Sequence, residues 1–148
     1  MAYIHKTTFN IIHSTNIKGL LASEYFEADD MIALPLRELN RKGYRTVSSC
    51  SGHPFKELFE ISVDIDDQSV KGHYAAYGVP ELRCHITFCE GITLPLLPKG
   101  FQADTSNERL TIKYNTGTCE DELDYFEETL RRMRALYNWA VTLPDNPS

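Results

Sequence analysis

An α+β fold follows from three observations on the chain. Apolar residues alternate over strand-length runs, two stripes recur at helical spacing, and polar segments bearing Gly or Pro separate them. The expected architecture is a single domain over residues 1–148, in which a mainly antiparallel sheet of four to five strands is covered by two main helices. Antiparallel pairing needs the fewest crossovers between elements placed in this order. A chain of 148 residues can bury a sizeable core, and its 42 % hydrophobic and 24 % charged content is that of a globular domain.

In chain order, Phe9 to His13 reads as a strand and Ile17 to Phe26 carries weak helical spacing. Asp29 and Asp30 are N-cap residues by type, and Ile32, Leu36 and Leu39 form one apolar stripe running to about Lys42. Pro35 removes a helical hydrogen bond, so this helix is expected to start late or to bend. Gly43 suits a left-handed C-cap, with Arg41 and Lys42 favourable in the last turn. Tyr44 to Ser49 is the next strand. Phe59, Ile61, Val63 and Ile65 alternate in a further one, and Leu82, Cys84, Ile86 and Phe88 in another, with Arg83, His85, Thr87 and Cys89 on its opposite face. These last two are expected as a long-looped hairpin or as neighbouring strands. Arg109 to Tyr114 gives one more strand, with Leu110, Ile112 and Tyr114 inward. Thr118 and Asp121 suggest a boxed helix start, and Leu123, Phe126, Leu130, Met133, Tyr137 and Ala140 a packed stripe. Pro144 and Pro147 end that helix, and residues 143–148 are expected to fray.

The net charge of −6 and a pI of about 5.3 disfavour RNA or any broad nucleic-acid footprint, which wants a basic face. Local basic groups remain at Arg37, Arg41, Lys42 and Arg45, and again at Arg131, Arg132 and Arg134. No apolar stretch approaches the roughly 18 residues of a membrane span, and the N-terminus lacks the pattern of a secretory signal. Cys50, Cys84, Cys89 and Cys119 are therefore expected as cytoplasmic thiols.

The stretch Thr46-Val-Ser-Ser-Cys-Ser-Gly-His-Pro54 is built like a site: hydroxyls, a thiol and an imidazole follow a strand, and Gly52 and Pro54 turn the chain out of it. Cys50 and His53 are the candidate catalytic pair, a nucleophile and its base across a tight turn. Thr46, Ser48, Ser49, Ser51, Gly52 and His85 are candidate ligand-binding residues, their hydroxyls and backbone N–H groups suiting a small polar or anionic ligand. No metal site is expected. Cys50, His53, His85 and Cys89 are of zinc-ligand type, yet a four-residue step along a strand spans roughly 13 Å and parts His85 from Cys89. The run Asp64 to Asp67 lacks the Gly and spaced oxygens of a calcium loop. His73, Tyr74 and Tyr77 lie in a polar loop over 66–81 that serves equally as a lid or as plain surface.

The run Ile32 to Asn40 followed by Tyr44 to His53 resembles the wybutosine-synthesis methyltransferase family, in which a helix ending in Leu-Asn leads into a strand and Thr-x-Ser-Ser-Cys-Ser-Gly-Arg. Thr46, Ser48, Ser49, Cys50, Ser51 and Gly52 match that motif, and His53 replaces its arginine. The resemblance spans residues 31–53 and implies S-adenosylmethionine as cofactor and transfer RNA as substrate. The Gly-Tyr-x-Thr strand with Cys-Ser-Gly-His is also similar to a group of bacterial and phage proteins of like size with no assigned activity. Two classes of function follow: an S-adenosylmethionine-related enzyme or ligand-binding domain, and a non-enzymatic interaction module of phage or mobile-element type. Basic residues converging on the loop favour the first; an exposed apolar patch on the last helix favours the second.

Overall fold

A computed structural model describes residues 2–13, 17–50, 81–118 and 122–147. The fold is α+β, with two antiparallel sheets and two main helices. Sheet one contains β1 (Ala2–His5), β2 (Ile11–His13) and β3 (Tyr25–Ala28), with β1 in the middle. Sheet two contains β4 (Thr46–Cys50), β5 (Glu81–Phe88), β6 (Gln102–Asp104) and β7 (Thr111–Thr118), in the order β4-β5-β7-β6. Helix α1 covers Ala33–Arg41 and α2 covers Glu122–Thr142. The expected strand over Leu58 to Ile65, residues 66–80 of the expected loop and Cys119 lie outside the described residues, while Glu81 already belongs to β5.

The three-stranded sheet is the main departure from expectation. Residues 17–26 do not form a helix: after one 3-10 turn at Ala22–Glu24 the chain enters β3, which pairs with β1 along Ala2↔Ala28 to His5↔Tyr25. That pairing buries Ala2, Ile4 and Ala28 on one face, a gain the weak helical spacing does not match.

Helix α1 does start late. A 3-10 turn at Asp30–Ile32 precedes it, and Pro35 falls in the first turn, where its missing N–H is not needed. Its end is a Schellman motif. The Tyr44 N–H donates to the Leu39 carbonyl (2.8 Å) and the Gly43 N–H to that of Asn40 (3.1 Å), with Gly43 at φ 94°.

That turn receives the C-terminus of α2. The Lys42 ammonium donates to the carbonyls of Ala140 (3.1 Å), Val141 and Leu143 (2.6 Å), and the Tyr44 hydroxyl to that of Pro144 (2.7 Å). Asn146 returns two bonds, from its backbone N–H to the Lys42 carbonyl (2.8 Å) and from its side chain to that of Gly43 (3.0 Å). The tail is therefore docked through Asn146 and not frayed, because the last carbonyls of α2 find donors in α1's terminal turn. Leu143 is buried there.

A single hydrophobic cluster joins Ile4, Ile32, Leu36, Leu39 and Tyr44 to Ile86, Phe88 and Ile112 of sheet two and to Leu136, Trp139 and Ala140 of α2. Cys84, Ile86 and Phe88 point inward as their alternation predicts. The stripe of α2 is met in part: Met133 and Ala140 are buried and Tyr137 partly so, but Leu130 is half-exposed, and Thr129, Arg132, Leu136 and Trp139 are buried as well. Thr118 does not cap α2. It ends β7, where its backbone lies opposite Glu81 of β5.

Loss of the Lys42 contacts leaves several carbonyls of α2 without a donor. Lys42→Met is expected to lower stability by about 2 kcal/mol, and Arg45→Met, at an exposed position, by less than about 0.5 kcal/mol. Urea denaturation of the two variants checks this. Equal losses would show that the joint contributes nothing specific.

Candidate functional site

Strand β4 carries the motif, and the structure distributes its residues over two regions. Thr46 is tied to the end of α1: Asn40 accepts its backbone N–H (3.1 Å) and donates to its hydroxyl (3.0 Å). Its side chain is thereby committed to holding helix and strand together. Thr46 lies opposite Phe88 and Ser48 opposite Thr87, so Val47 is the extra residue of a β-bulge and is half-exposed. Ser48 and Ser49 line a small cleft of about 270 Å³, walled by Phe26, Glu27 and Leu36 between the edge strands β3 and β4.

Cys50 ends β4 directly opposite His85 of β5. Opposed residues in an antiparallel ladder share a face with Cβ atoms roughly 5 Å apart. A thiol and an imidazole are thus brought together, both half-buried, by two strands distant in sequence. His85 in turn lies opposite Lys113 of β7. Ser51, Gly52 and His53 lie outside the described residues, so the pairing of Cys50 with His53 has no geometry here. Thr46 stands roughly 13 Å up the strand from Cys50.

On the inner side of the same strand end is Cys84, 1 % exposed. Burial pushes its thiol up to about 12, the Arg132 guanidinium opposes that rise, and Cys50 and the Asp29 carboxylate add to it. Cys84 is thus a protonated, unreactive thiol at neutral pH, with Arg132, Cys50 and Asp29 gathered around it.

Arg132 comes from the sheet-facing side of α2 and is only 8 % exposed. Its guanidinium lies over the Tyr114 ring, 3.4 Å from the centroid. Tyr114 is itself held by Phe101 (centroids 5.6 Å apart) and by Gly100. A Cβ at Gly100, which has φ 84°, would stand 2.8 Å from the ring's Cε2, so glycine is required there on both counts. Among the described residues no carboxylate or carbonyl meets the Arg132 guanidinium, and its one partner is the aromatic face. One turn earlier on the same helix face, the Thr129 hydroxyl is also buried without a partner.

A buried hydroxyl with open hydrogen-bonding capacity, as at Thr129, is costly unless something polar meets it. Sequence reasoning placed Arg132 in a basic patch and passed over Thr129. The signal available was spacing: Thr129, Met133, Leu136, Ala140 and Leu143 form one continuous stripe, and Arg132 lies one residue from it. Among the described residues no group of three or more His, Cys, Asp or Glu is arranged to hold a metal. No helix there is long and apolar enough to cross a membrane.

No family model, no curated protein and no solved structure matches the chain.

Cys84 is expected to resist alkylation in the native state while half-buried Cys50 and Cys89 react, as counted by mass spectrometry with and without denaturant. Because the folded pKa of Cys84 lies above the unfolded value, the folded state holds the proton more tightly. Its contribution to stability is complete below about pH 9 and is lost as pH rises towards 12. Cys84→Ala should remove that part of the alkaline decline, measured as melting temperature against pH. Rapid native labelling of Cys84 would contradict its placement.

Proposed function

We propose that this protein is a small-ligand-binding domain that receives an anionic group at the Cys50 end of the four-stranded sheet. The observation that carries this reading is the buried Arg132, stacked on Tyr114 and adjacent to the unpartnered Thr129 hydroxyl. Stacking occupies the face of the guanidinium and leaves its N–H edge for a carboxylate or phosphate. Thr129 offers a further donor one turn away. Cys84 and Tyr114, opposed in the ladder, line the inner face of the sheet at this point, while Cys50 and His85 share the opposite face at the same strand end.

The resemblance to the wybutosine-synthesis methyltransferases makes S-adenosylmethionine the first ligand to try, since its carboxylate is a group that Arg132 suits. A ligand at a hundred times its dissociation constant stabilises a fold by about 2.7 kcal/mol. For a chain of this length that is a rise of roughly 5–10 °C in melting temperature. Arg132→Met should abolish the rise while leaving the ligand-free protein within about 1 kcal/mol of the parent, because a similar-sized apolar group in place of a buried charged side chain is often neutral. Binding that survives Arg132→Met would remove Arg132 from the site.

A second reading, the interaction module, draws on a different feature. Met31, Leu34 and Pro35 of the α1 region face Leu130, Met133 and Tyr137 of α2 across an apolar groove of about 320 Å³, and Leu34 and Leu130 are half-exposed on its rim. If S-adenosylmethionine leaves the melting temperature unchanged and Leu130→Asp abolishes concentration-dependent association in sedimentation, the module reading takes precedence.

A further inference from the structure

We propose a second ligand site, for a phosphorylated ring compound such as a nucleotide, in the cleft where the turn between β1 and β2 faces the junction of α1 and β4. The cleft is about 650 Å³, a volume that suits a molecule of that size. Lys6, Arg41 and Arg45 line it together with Phe9, Phe26 and Asn40, and no acidic side chain is among the described residues on its wall. In a chain of net charge −6 this is a local reversal of sign.

Among the described residues no carboxylate pairs with Lys6 or Arg45. Arg41 is held by the buried Glu38 carboxylate, which it shares with Arg37 (3.6 Å), and feels Asp145 as well, so Lys6 and Arg45 are the cations left for a ligand. The end of α1 does not oppose an anion here, since N–H groups of residues 42–44 already occupy its Glu38, Leu39 and Asn40 carbonyls. Asn40 is fixed by the Leu36 carbonyl (2.8 Å) and by Thr46, so this wall is rigid.

The aromatic wall is built with equal care. Phe9 has φ 60°, a left-handed conformation that a bulky side chain rarely adopts. The turn maintains it: the Phe9 N–H donates to the His5 carbonyl (3.0 Å), and the His5 Nδ1 accepts the N–H groups of Thr7 (3.2 Å) and Thr8 (3.3 Å). A backbone held in that state to present a phenyl ring to a cleft containing three cations is explained by a ligand with a flat ring and a phosphate.

Isothermal titration of the full chain with adenosine monophosphate, adenosine and inorganic phosphate tests this. The monophosphate should bind at least about tenfold more tightly than either fragment, with affinity falling as salt rises. The double variant Lys6→Ala/Arg45→Ala should weaken the monophosphate and phosphate by about tenfold or more and leave adenosine unchanged. Phe9→Gly, which places glycine where φ is positive and so keeps the fold, should weaken the monophosphate and adenosine but not phosphate. Arg132→Met should alter none of these affinities, which separates this site from the Cys50 end. The proposal is overturned by no detectable binding of the monophosphate at millimolar concentration, by affinity unchanged in the double variant, or by loss of binding in Arg132→Met.

Discussion

Lys42 inserted into the C-terminal carbonyls of α2 is the contact on which the rest of the arrangement depends. A helix end exposes carbonyls that need donors and carries partial negative charge, so an ammonium there is favoured on both grounds. The ammonium comes from the residue that caps α1, and the Schellman turn aims it. Joining the two helices at their ends sets both the position of α2 along the sheet and its rotation about its own axis. That rotation decides which stripe is buried. Leu136, Trp139 and Leu143 enter the core, the Trp139 indole N–H reaches the Leu96 carbonyl (2.9 Å), and Leu130 turns out to the rim of the interhelical groove.

The same rotation brings Thr129 and Arg132 to the sheet. In an apolar seam the Thr129 hydroxyl opposes stability, since among the described residues it has no hydrogen-bond partner. Arg132 stacks on Tyr114, and the Gly100 turn exists in a form that leaves room for the ring. Thr129 and Arg132 thus stand as neighbours at buried positions where packing alone favours apolar groups. Under the proposed function these side chains are placed for a ligand and not for packing.

Much of the local structure was legible before the tertiary structure was known. The late start of α1 at Pro35, its glycine stop at Gly43, and the inward row of Cys84, Ile86 and Phe88 all rest on interactions within a few residues or on strict alternation. Two misreadings share a cause. Residues 17–26 have helical spacing, but β1 offers them a ladder that buries Ile4. Thr118 has cap chemistry, but β5 offers it a partner at Glu81. In both cases pairing with a distant strand outweighs a weak local preference.

For the candidate site the division is sharper. Sequence alone determined that polar and thiol groups gather at the end of β4, because the motif from Thr46 to Cys50 is contiguous and its strand is marked by composition. It also determined the bulk of the core and the sign of the overall charge. Only the tertiary structure decided which distant groups meet that strand end: His85 opposite Cys50 by ladder register, and Arg132 behind Cys84 by the rotation of α2. It likewise split the basic residues after Leu36 into a helix cap at Lys42, a cleft wall at Arg41 and Arg45, and a buried guanidinium at Arg132. Spacing along a chain specifies neighbours within an element, whereas contacts between elements depend on register and rotation, which are set by packing and by the donors available at helix ends.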